Sequence, residues 1–137
     1  MSGTTSGGAL TEPMYPADSF PLTTLRARQR RLPGGVVVVE LDGEVDLATE
    51  DVLRNVLADV VGAADTQLLV CDLTRVSFFS CTGLNILMLA RKALQQRGAP
   101  LRVVARAPVV VMVFEGTDLA ETLGLCASLK EAIGGQT

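Results

Sequence analysis

Apolar and polar positions along this chain follow two periods in turn, and the alternation predicts strands followed by helices. The stretch LTTLRARQR (22–30) alternates short or apolar residues with basic ones, as a half-exposed strand does. The β-branched run GVVVVELDGEVD (35–46) comes after the turn signal LPGG, so the two stretches predict a β-hairpin. The first strand carries three arginines that suit a protected sheet edge: Arg26, Arg28 and Arg30.

Helical spacing begins after this hairpin. Thr49 is predicted to be a helix N-cap, with Glu50 and Asp51 in the favourable first turn. The stretch QLLVCDL (67–73) then predicts a strand buried in a parallel sheet, with Asp72 as the turn residue that ends it. The buried face of the helix is predicted from six residues at helical spacing: Val52, Leu53, Val56, Leu57, Val60 and Val61.

The second half of the chain repeats this alternation. GLNILMLARKALQQRG (83–98) predicts a helix closed by its last glycine, and PLRVVARA (100–107) predicts a strand. The valines after Pro108 favour a strand, but a proline suits a helix start, and the regular alternation decides for a helix. ASLKEAI (127–133) predicts a short last helix. The chain therefore predicts one α/β domain, with a mixed sheet of about five strands and helices packed on it.

Composition adds limits to this domain. The first twenty residues are rich in Gly, Ser, Thr and Pro, which predicts a disordered tail (1–20), a domain (21–134) and a flexible C-terminus (135–137). The net charge of -3 comes without a basic cluster that would indicate nucleic-acid binding. No apolar run is long enough to span a membrane, and the first residues do not resemble a secretory signal. We therefore expect a cytoplasmic protein.

Several kinds of chemistry are excluded by the residues that the chain lacks. It has no histidine, so His-based general-base catalysis and His metal sites are excluded. Its three cysteines form no CxxC pair, and neither GxGxxG nor GxxxxGK[ST] occurs. We expect no catalytic residue, no metal site and no cofactor.

One stretch, VSFFSCTGLN (76–85), gathers three small hydroxyl or thiol side chains at a predicted helix start. Free backbone N–H groups and the helix dipole favour negative charge there, so Thr82 in the first turn could carry a phosphate without melting the helix. The alternative is that Ser80 or Thr82 is only an N-cap and that Gly83 makes a tight turn.

The helix that follows has an apolar patch beside its polar face. A helical wheel predicts partial exposure of Leu84, Met88 and Leu89, close to the polar Asn85 and Lys92. An apolar patch within two turns of Thr82 indicates a partner-binding surface, unless another loop covers it. The predicted core face consists of Ile86, Ala90, Ala93 and Leu94.

Four segments in order (36–57, 68–87, 101–123 and 127–133) resemble the STAS domain of bacterial anti-sigma factor antagonists. They include a Gly-Glu-x-Asp turn that ends at Asp46. The resemblance extends over roughly Leu22 to Ile133 and keeps the family's spacing without large gaps.

The resemblance implies a partner switch. Such proteins bind an anti-sigma factor that has a GHKL-type ATPase fold and is often a serine/threonine kinase, and binding releases the sigma factor. The kinase phosphorylates the residue before the loop glycine, which is Thr82 here, and a phosphatase reverses the modification. Ser80, Cys81 and Gly83 would form the rest of the loop. Asp46 would repel or position the phosphate, or else would serve only as a turn cap.

The chain departs from the family's pattern at three places. Ser80 replaces an acidic residue, and Cys81 replaces a hydroxyl. A thiol at a helix N-terminus can have a lowered pKa, so we hypothesise that oxidation of Cys81 also regulates binding, with Cys126 as a second redox candidate and Cys71 as inert core. Val110 and Val111 stand where relatives often carry charges, which predicts either a more buried helix or a self-association surface for a homodimer.

Two other functions compete with this prediction. A STAS scaffold would bind a transporter or a signalling complex instead of an anti-sigma factor. A receiver domain would accept phosphate on Asp72, but neither Lys92 nor Lys130 stands at the end of a strand, where a receiver needs its lysine. A nucleotide such as GTP would have to bind without a P-loop.

Overall fold

The computed structural model describes residues 24–134, which form five strands and four helices. The predicted tail (1–20) and flexible C-terminus (135–137) lie outside the described residues. The elements in chain order are β1 Leu25–Leu32, β2 Val36–Val45, α1 Glu50–Gly62, β3 Leu68–Phe79, α2 Cys81–Gln95, β4 Leu101–Val104, α3 Pro108–Gly116, β5 Leu125–Cys126 and α4 Leu129–Gly134.

The five strands form one mixed sheet in the order β1-β2-β3-β4-β5. The hairpin pairs β1 with β2 antiparallel, and the remaining pairs are parallel. Parallel neighbours need a crossover connection, which α1, α2 and α3 supply. The predicted fold class, a mixed sheet of about five strands with packed helices, is confirmed. The two-residue strand β5 was not predicted, because two residues are too few to show a period.

Side chains on the two faces of the sheet enter two separate cores. On β2, Val37 and Leu41 point into the larger core beneath α1, α2 and α3. Val36 and Val38 point to the other side, where Ala132 of α4 closes a smaller core. This period of two is the reason that a run of consecutive valines is buried along its whole length.

Helix α1 buries a narrower face than the spacing predicted. Leu53, Leu57 and Val60 are buried, but Val52 is 37% exposed, so its predicted burial is wrong. Thr49 directly precedes the helix as predicted, but its hydroxyl does not cap it. That hydroxyl donates instead to the carbonyl oxygen of Glu44 at 2.7 Å, which ties the helix start to the end of β2.

Strand β3 continues well past Asp72, so the prediction that this residue ends the strand is wrong. The Asp72 carboxylate accepts hydrogen bonds from the backbone N–H and the hydroxyl of Thr74, at 3.0 and 2.8 Å. These bonds hold a bulge within the strand: Glu40 pairs with Asp72, but Asp42 pairs with Arg75, so β3 has one extra residue. A local Asp-Thr turn is thus accommodated inside a strand of 12 residues.

The segment after Pro108 is a helix, as the alternation predicted. Val110 is fully buried and Val111 half-buried, which favours the more buried helix of the two alternatives. Val109 and Met112 are exposed on its outer side, and a homodimer through this surface stays a prediction. Among residues 24–134, no helix is both long and apolar enough to cross a membrane.

Candidate functional site

The candidate site is the edge of the sheet formed by the carboxyl ends of its strands, at the point where the neighbouring strands β2 and β3 end side by side. Val45 pairs with Phe79, and the N–H of Ser80 donates to the carbonyl oxygen of Val45 at 2.9 Å. Asp46 and Ser80, which follow this pair, are therefore neighbours across the two strands. The turn before α1 and the start of α2 lie side by side at this edge.

Ser80 is the N-cap of α2. Its backbone is extended, and its hydroxyl oxygen accepts a long hydrogen bond of 3.4 Å from the N–H of Gly83. The N-cap interpretation is therefore confirmed for Ser80 and wrong for Thr82, which is the second residue of the helix. Thr82 is half-buried, and its hydroxyl has no hydrogen bond within the described part of the chain. Its phosphorylation stays a prediction.

Gly83 lies inside α2 and does not form the predicted tight turn. A Cβ atom at this position would stand 2.7 Å from Cζ of Phe79 and 2.9 Å from Cγ1 of Val45. Both neighbours are buried, and the Phe79 ring stacks on Phe114 of α3 at 5.4 Å between centroids. Glycine is needed here because the helix backbone packs directly on this ring.

The Asp46 carboxylate is occupied by the start of α1. Its Oδ1 accepts hydrogen bonds from the N–H groups of Ala48 and Thr49, at 2.9 and 3.2 Å. This is the turn-cap role that the sequence left open as one alternative. An additional role toward a phosphate on Thr82 stays a prediction.

The three cysteines are free and differ in burial. Cys81 is exposed as the first residue of α2, whereas Cys71 is buried in β3. Burial, followed by the charge of Asp72, raises the pKa of the Cys71 thiol to about 12, as expected for inert core. Cys126 is half-buried in β5, and burial, followed by Glu131, raises its pKa against the opposing effect of Arg102.

Four of the five predicted partner-binding residues line one shallow groove on α2. Its volume is about 560 Å³, and Leu89 is 68% exposed, so no described loop covers it. Leu84 does not belong to this surface: it is 3% exposed and packs in the main core, so its predicted exposure is wrong. The groove is lined by Asn85, Met88, Leu89, Arg91, Lys92 and Gln95.

Two further apolar side chains at this edge were missed by the sequence analysis. Leu47, one residue after Asp46, is 79% exposed, and Phe78, two residues before Ser80, is 46% exposed. Strand alternation could have found Phe78, because the adjacent Phe79 points into the core. We call Leu47, Phe78, Thr82 and Leu89 the switch edge. Within residues 24–134, no group of three metal-ligating side chains lies close enough to hold a metal ion.

Comparison with known proteins gives the family. The sequence model of the STAS domain matches residues 27–132. The anti-sigma-F factor antagonist RsfB of Mycobacterium tuberculosis is 33% identical over 101 residues, which cover 74% of this chain and 81% of RsfB. The chain therefore belongs to the STAS domain family of anti-sigma factor antagonists, as its four segments indicated.

Solved structures agree with this assignment. An anti-sigma factor antagonist from Mycobacterium paratuberculosis superposes with a TM-score of 0.76 at 29% identity, over 82% of this chain and 93% of that one. Unphosphorylated SpoIIAA superposes with a TM-score of 0.71 at 19% identity, over 81% and 96% of the two chains. At that identity the likeness to SpoIIAA concerns the fold alone.

Proposed function

We propose that this protein binds an anti-sigma factor of GHKL-type kinase fold and thereby frees a sigma factor, and that phosphorylation of Thr82 ends the complex. The observation that carries the proposal is the position of Thr82: its hydroxyl is free of hydrogen bonds within the described residues, one turn before the apolar groove on α2. The similarity to RsfB, named as an anti-sigma-F factor antagonist, supports the class of partner.

The charges around Thr82 favour a modification that spares the fold. The first turn of α2 contains no acidic residue, and the nearby Asp46 carboxylate already accepts hydrogen bonds from the N–H groups of Ala48 and Thr49, just before α1. A phosphate brings about 1.5 to 2 negative charges, which the positive end of a helix stabilises. Ser80 in place of an acidic residue removes a repulsive neighbour of this phosphate.

The same charge would act against a bound partner. Met88 and Leu89 give the groove its apolar floor, and a partner that packs on them excludes water from the adjacent edge. A phosphate on Thr82 would then have to lose part of its hydration, which is costly for a charged group. Modification therefore weakens the complex while the antagonist itself stays folded.

The proposal is tested with the anti-sigma factor of the protein's own host, ATP and Mg²⁺. Residue-resolved mass spectrometry should find phosphate on Thr82, and Thr82→Ala should bind the partner but accept no phosphate. Thr82→Glu should weaken binding at least about tenfold, which corresponds to about 1.4 kcal/mol, with an unchanged melting temperature. Thr122→Ala is the matched control, because Thr122 is an exposed threonine outside α2. Phosphate on another residue, or wild-type binding by Thr82→Glu, contradicts the proposal.

The exposed Cys81 adds a second control to the same edge. Oxidation would place a polar or bulky group one residue before Thr82, at the rim of the partner surface. Wild-type protein should then bind its partner more weakly under oxidising than under reducing conditions, and Cys81→Ser should bind equally in both. Equal binding by the wild type in both conditions removes the redox hypothesis, while the phosphorylation result is unaffected.

The proposed phosphotransfer also separates the switch from the scaffold function. A scaffold for a transporter or signalling complex needs no kinase, so Thr82 would stay unmodified with every candidate partner. In the switch, a cognate phosphatase restores the free hydroxyl and with it the binding of the anti-sigma factor.

A further inference from the structure

The open face of the sheet, opposite α1, α2 and α3, contains a second concave site. Helix α4 covers only part of this face, over Val36, Val38 and Val70. Beyond it lies a cavity of about 530 Å³ lined by polar side chains of β1, β2 and β3. Nothing in the proposed partner switch uses this cavity.

The register of the sheet gathers two arginines around one carboxylate in this cavity. Antiparallel pairing places Arg26 of β1 opposite Asp42 of β2. On the other side, a regular ladder from the Glu40–Asp72 pair would place Thr74 opposite Asp42, but the β3 bulge places Arg75 there. The hydrogen bonds between Asp72 and Thr74 hold that bulge.

The resulting cluster has an excess of positive charge. Arg26 and Arg75 each have a guanidinium nitrogen 3.9 Å from the same oxygen, Oδ2 of Asp42. This distance is too long for a hydrogen bond, and neither guanidinium donates one elsewhere in residues 24–134. Glu40 cannot neutralise the excess, because it already pairs with Arg30 at 2.8 Å and with Arg28 at 3.7 Å. The Asp72 carboxylate also lines the cavity, but its hydrogen bonds go to Thr74. Three carboxylates therefore face four arginines, which leaves one positive charge.

We propose that this cavity binds a dianionic phosphate group between Arg26 and Arg75. Guanidinium groups present planar pairs of N–H donors that match the oxygens of a phosphate. Two guanidiniums that share one carboxylate leave one positive charge and nearly all their donors for such a ligand. Both side chains are largely exposed, at 86% and 80%, so a ligand reaches them easily, but solvent screening keeps its binding weak.

The test is a titration of the whole protein with inorganic phosphate at constant ionic strength, followed by amide and arginine Nε NMR shifts. Saturable shifts should appear at Arg26, Asp42 and Arg75. Arg26→Gln and Arg75→Gln should each raise the dissociation constant at least about threefold. Asp42→Asn should lower it, because the competing carboxylate is lost. Arg106→Gln is the control, since Arg106 is exposed and lies outside the cavity.

The opposite directions of these variants make the result decisive. A dissociation constant that Asp42→Asn raises, equal effects of Arg75→Gln and Arg106→Gln, or no saturable shift at all, overturns the proposal. Melting temperatures of each variant exclude loss of fold as the cause. Failure here leaves the Thr82 switch untouched, because the two sites share no residue.

A vesicle-binding experiment distinguishes a lipid headgroup from a small phosphorylated molecule as the ligand. Phosphatidylcholine vesicles with and without phosphatidic acid are compared for association with the wild type and with Arg75→Gln. Association that needs both phosphatidic acid and Arg75 identifies a lipid headgroup as the ligand. Binding of inorganic phosphate without vesicle association identifies a small phosphorylated molecule.

Discussion

At Gly83 the backbone of α2 packs directly against the buried side chains of Phe79 and Val45. We predict that Gly83→Ala destabilises the protein by about 1 to 3 kcal/mol, the usual cost of overpacking. The new Cβ would lie 2.7 Å from the buried Phe79 ring, which its stack on Phe114 holds in place. The cost exceeds the gain of about 1 kcal/mol that alanine brings to a helix interior. Chemical denaturation measures it.

Gly62 supplies the matched control for this substitution. It is the last residue of α1, and a Cβ atom there would meet nothing within 4 Å. Gly62→Ala should therefore be neutral or stabilise by up to about 1 kcal/mol. If both variants changed stability alike, close packing at Gly83 would not be the reason for its glycine.

Cys71 makes the stability of the fold depend on alkaline pH. Burial raises the pKa of its thiol from 9.0 to about 12, so the folded state keeps a proton that the unfolded chain releases. This contribution is complete below pH 9 and is lost as the pH rises toward 12. In that window the free energy of unfolding should fall with pH in the wild type more steeply than in Cys71→Val. The difference between the two slopes should be about 1.4 kcal/mol per pH unit. Urea titrations at several pH values compare the slopes, and equal slopes would refute the assignment.

At the scale of the elements, the C-terminal end of α1 is stabilised by a side chain that follows α2. Helix α1 has no basic residue in its last turn. Arg97, just beyond α2, donates from both terminal nitrogens to the carbonyl oxygens of Val61 and Ala63, each at 2.8 Å. A guanidinium at this position satisfies free carbonyl groups and complements the helix dipole.

We predict that Arg97→Gln lowers the free energy of unfolding by about 0.5 to 1 kcal/mol, a small value because the pair is exposed. Amide hydrogen exchange should accelerate in the last turn of α1. Arg106→Gln, an exposed arginine without such contacts, should change neither quantity. Unchanged exchange in the last turn of α1 would show that Arg97 does not fix this helix end.

Helix α2 shows which buried positions a helical wheel predicts correctly and which it does not. The wheel correctly placed Ile86, Ala90 and Leu94 in the core and Leu89 outside it. It failed for Leu84, which is buried because the first turn packs down on Val45 and Phe79 through Gly83. A wheel treats every turn alike, whereas the depth of each turn depends on its distance from the sheet.

At the scale of the whole molecule, the switch edge combines residues from three parts of the fold: the β2–α1 connection, the end of β3 and helix α2. If the partner binds across this edge, Leu47→Ser and Phe78→Ser should each weaken the complex with the anti-sigma factor about tenfold. Because both side chains are exposed, the free energy of unfolding should change by less than about 0.5 kcal/mol. Binding is measured by calorimetry with the purified partner.

Met112→Ser is the control for this prediction. Met112 is an apolar residue with an exposed fraction of 67%, between those of Phe78 and Leu47. It lies on α3 and outside the switch edge. Its substitution should leave binding unchanged. If Met112→Ser weakens the complex and Leu47→Ser does not, the partner surface is on α3 instead.

The sequence by itself determined the order of strands and helices (except for β5), the hairpin, the family and the helix start at which Thr82 stands. These features depend on local period, turn residues and motif spacing, which single segments carry. Only the tertiary structure decided the features that depend on contacts between segments far apart in the chain. It continued β3 through the bulge at Asp72, buried Leu84, exposed Leu47 and Phe78 near the ends of β2 and β3, and placed Arg26 and Arg75 on either side of Asp42. Strand register and packing depth follow from contacts between segments far apart in the chain, so no local pattern encodes them.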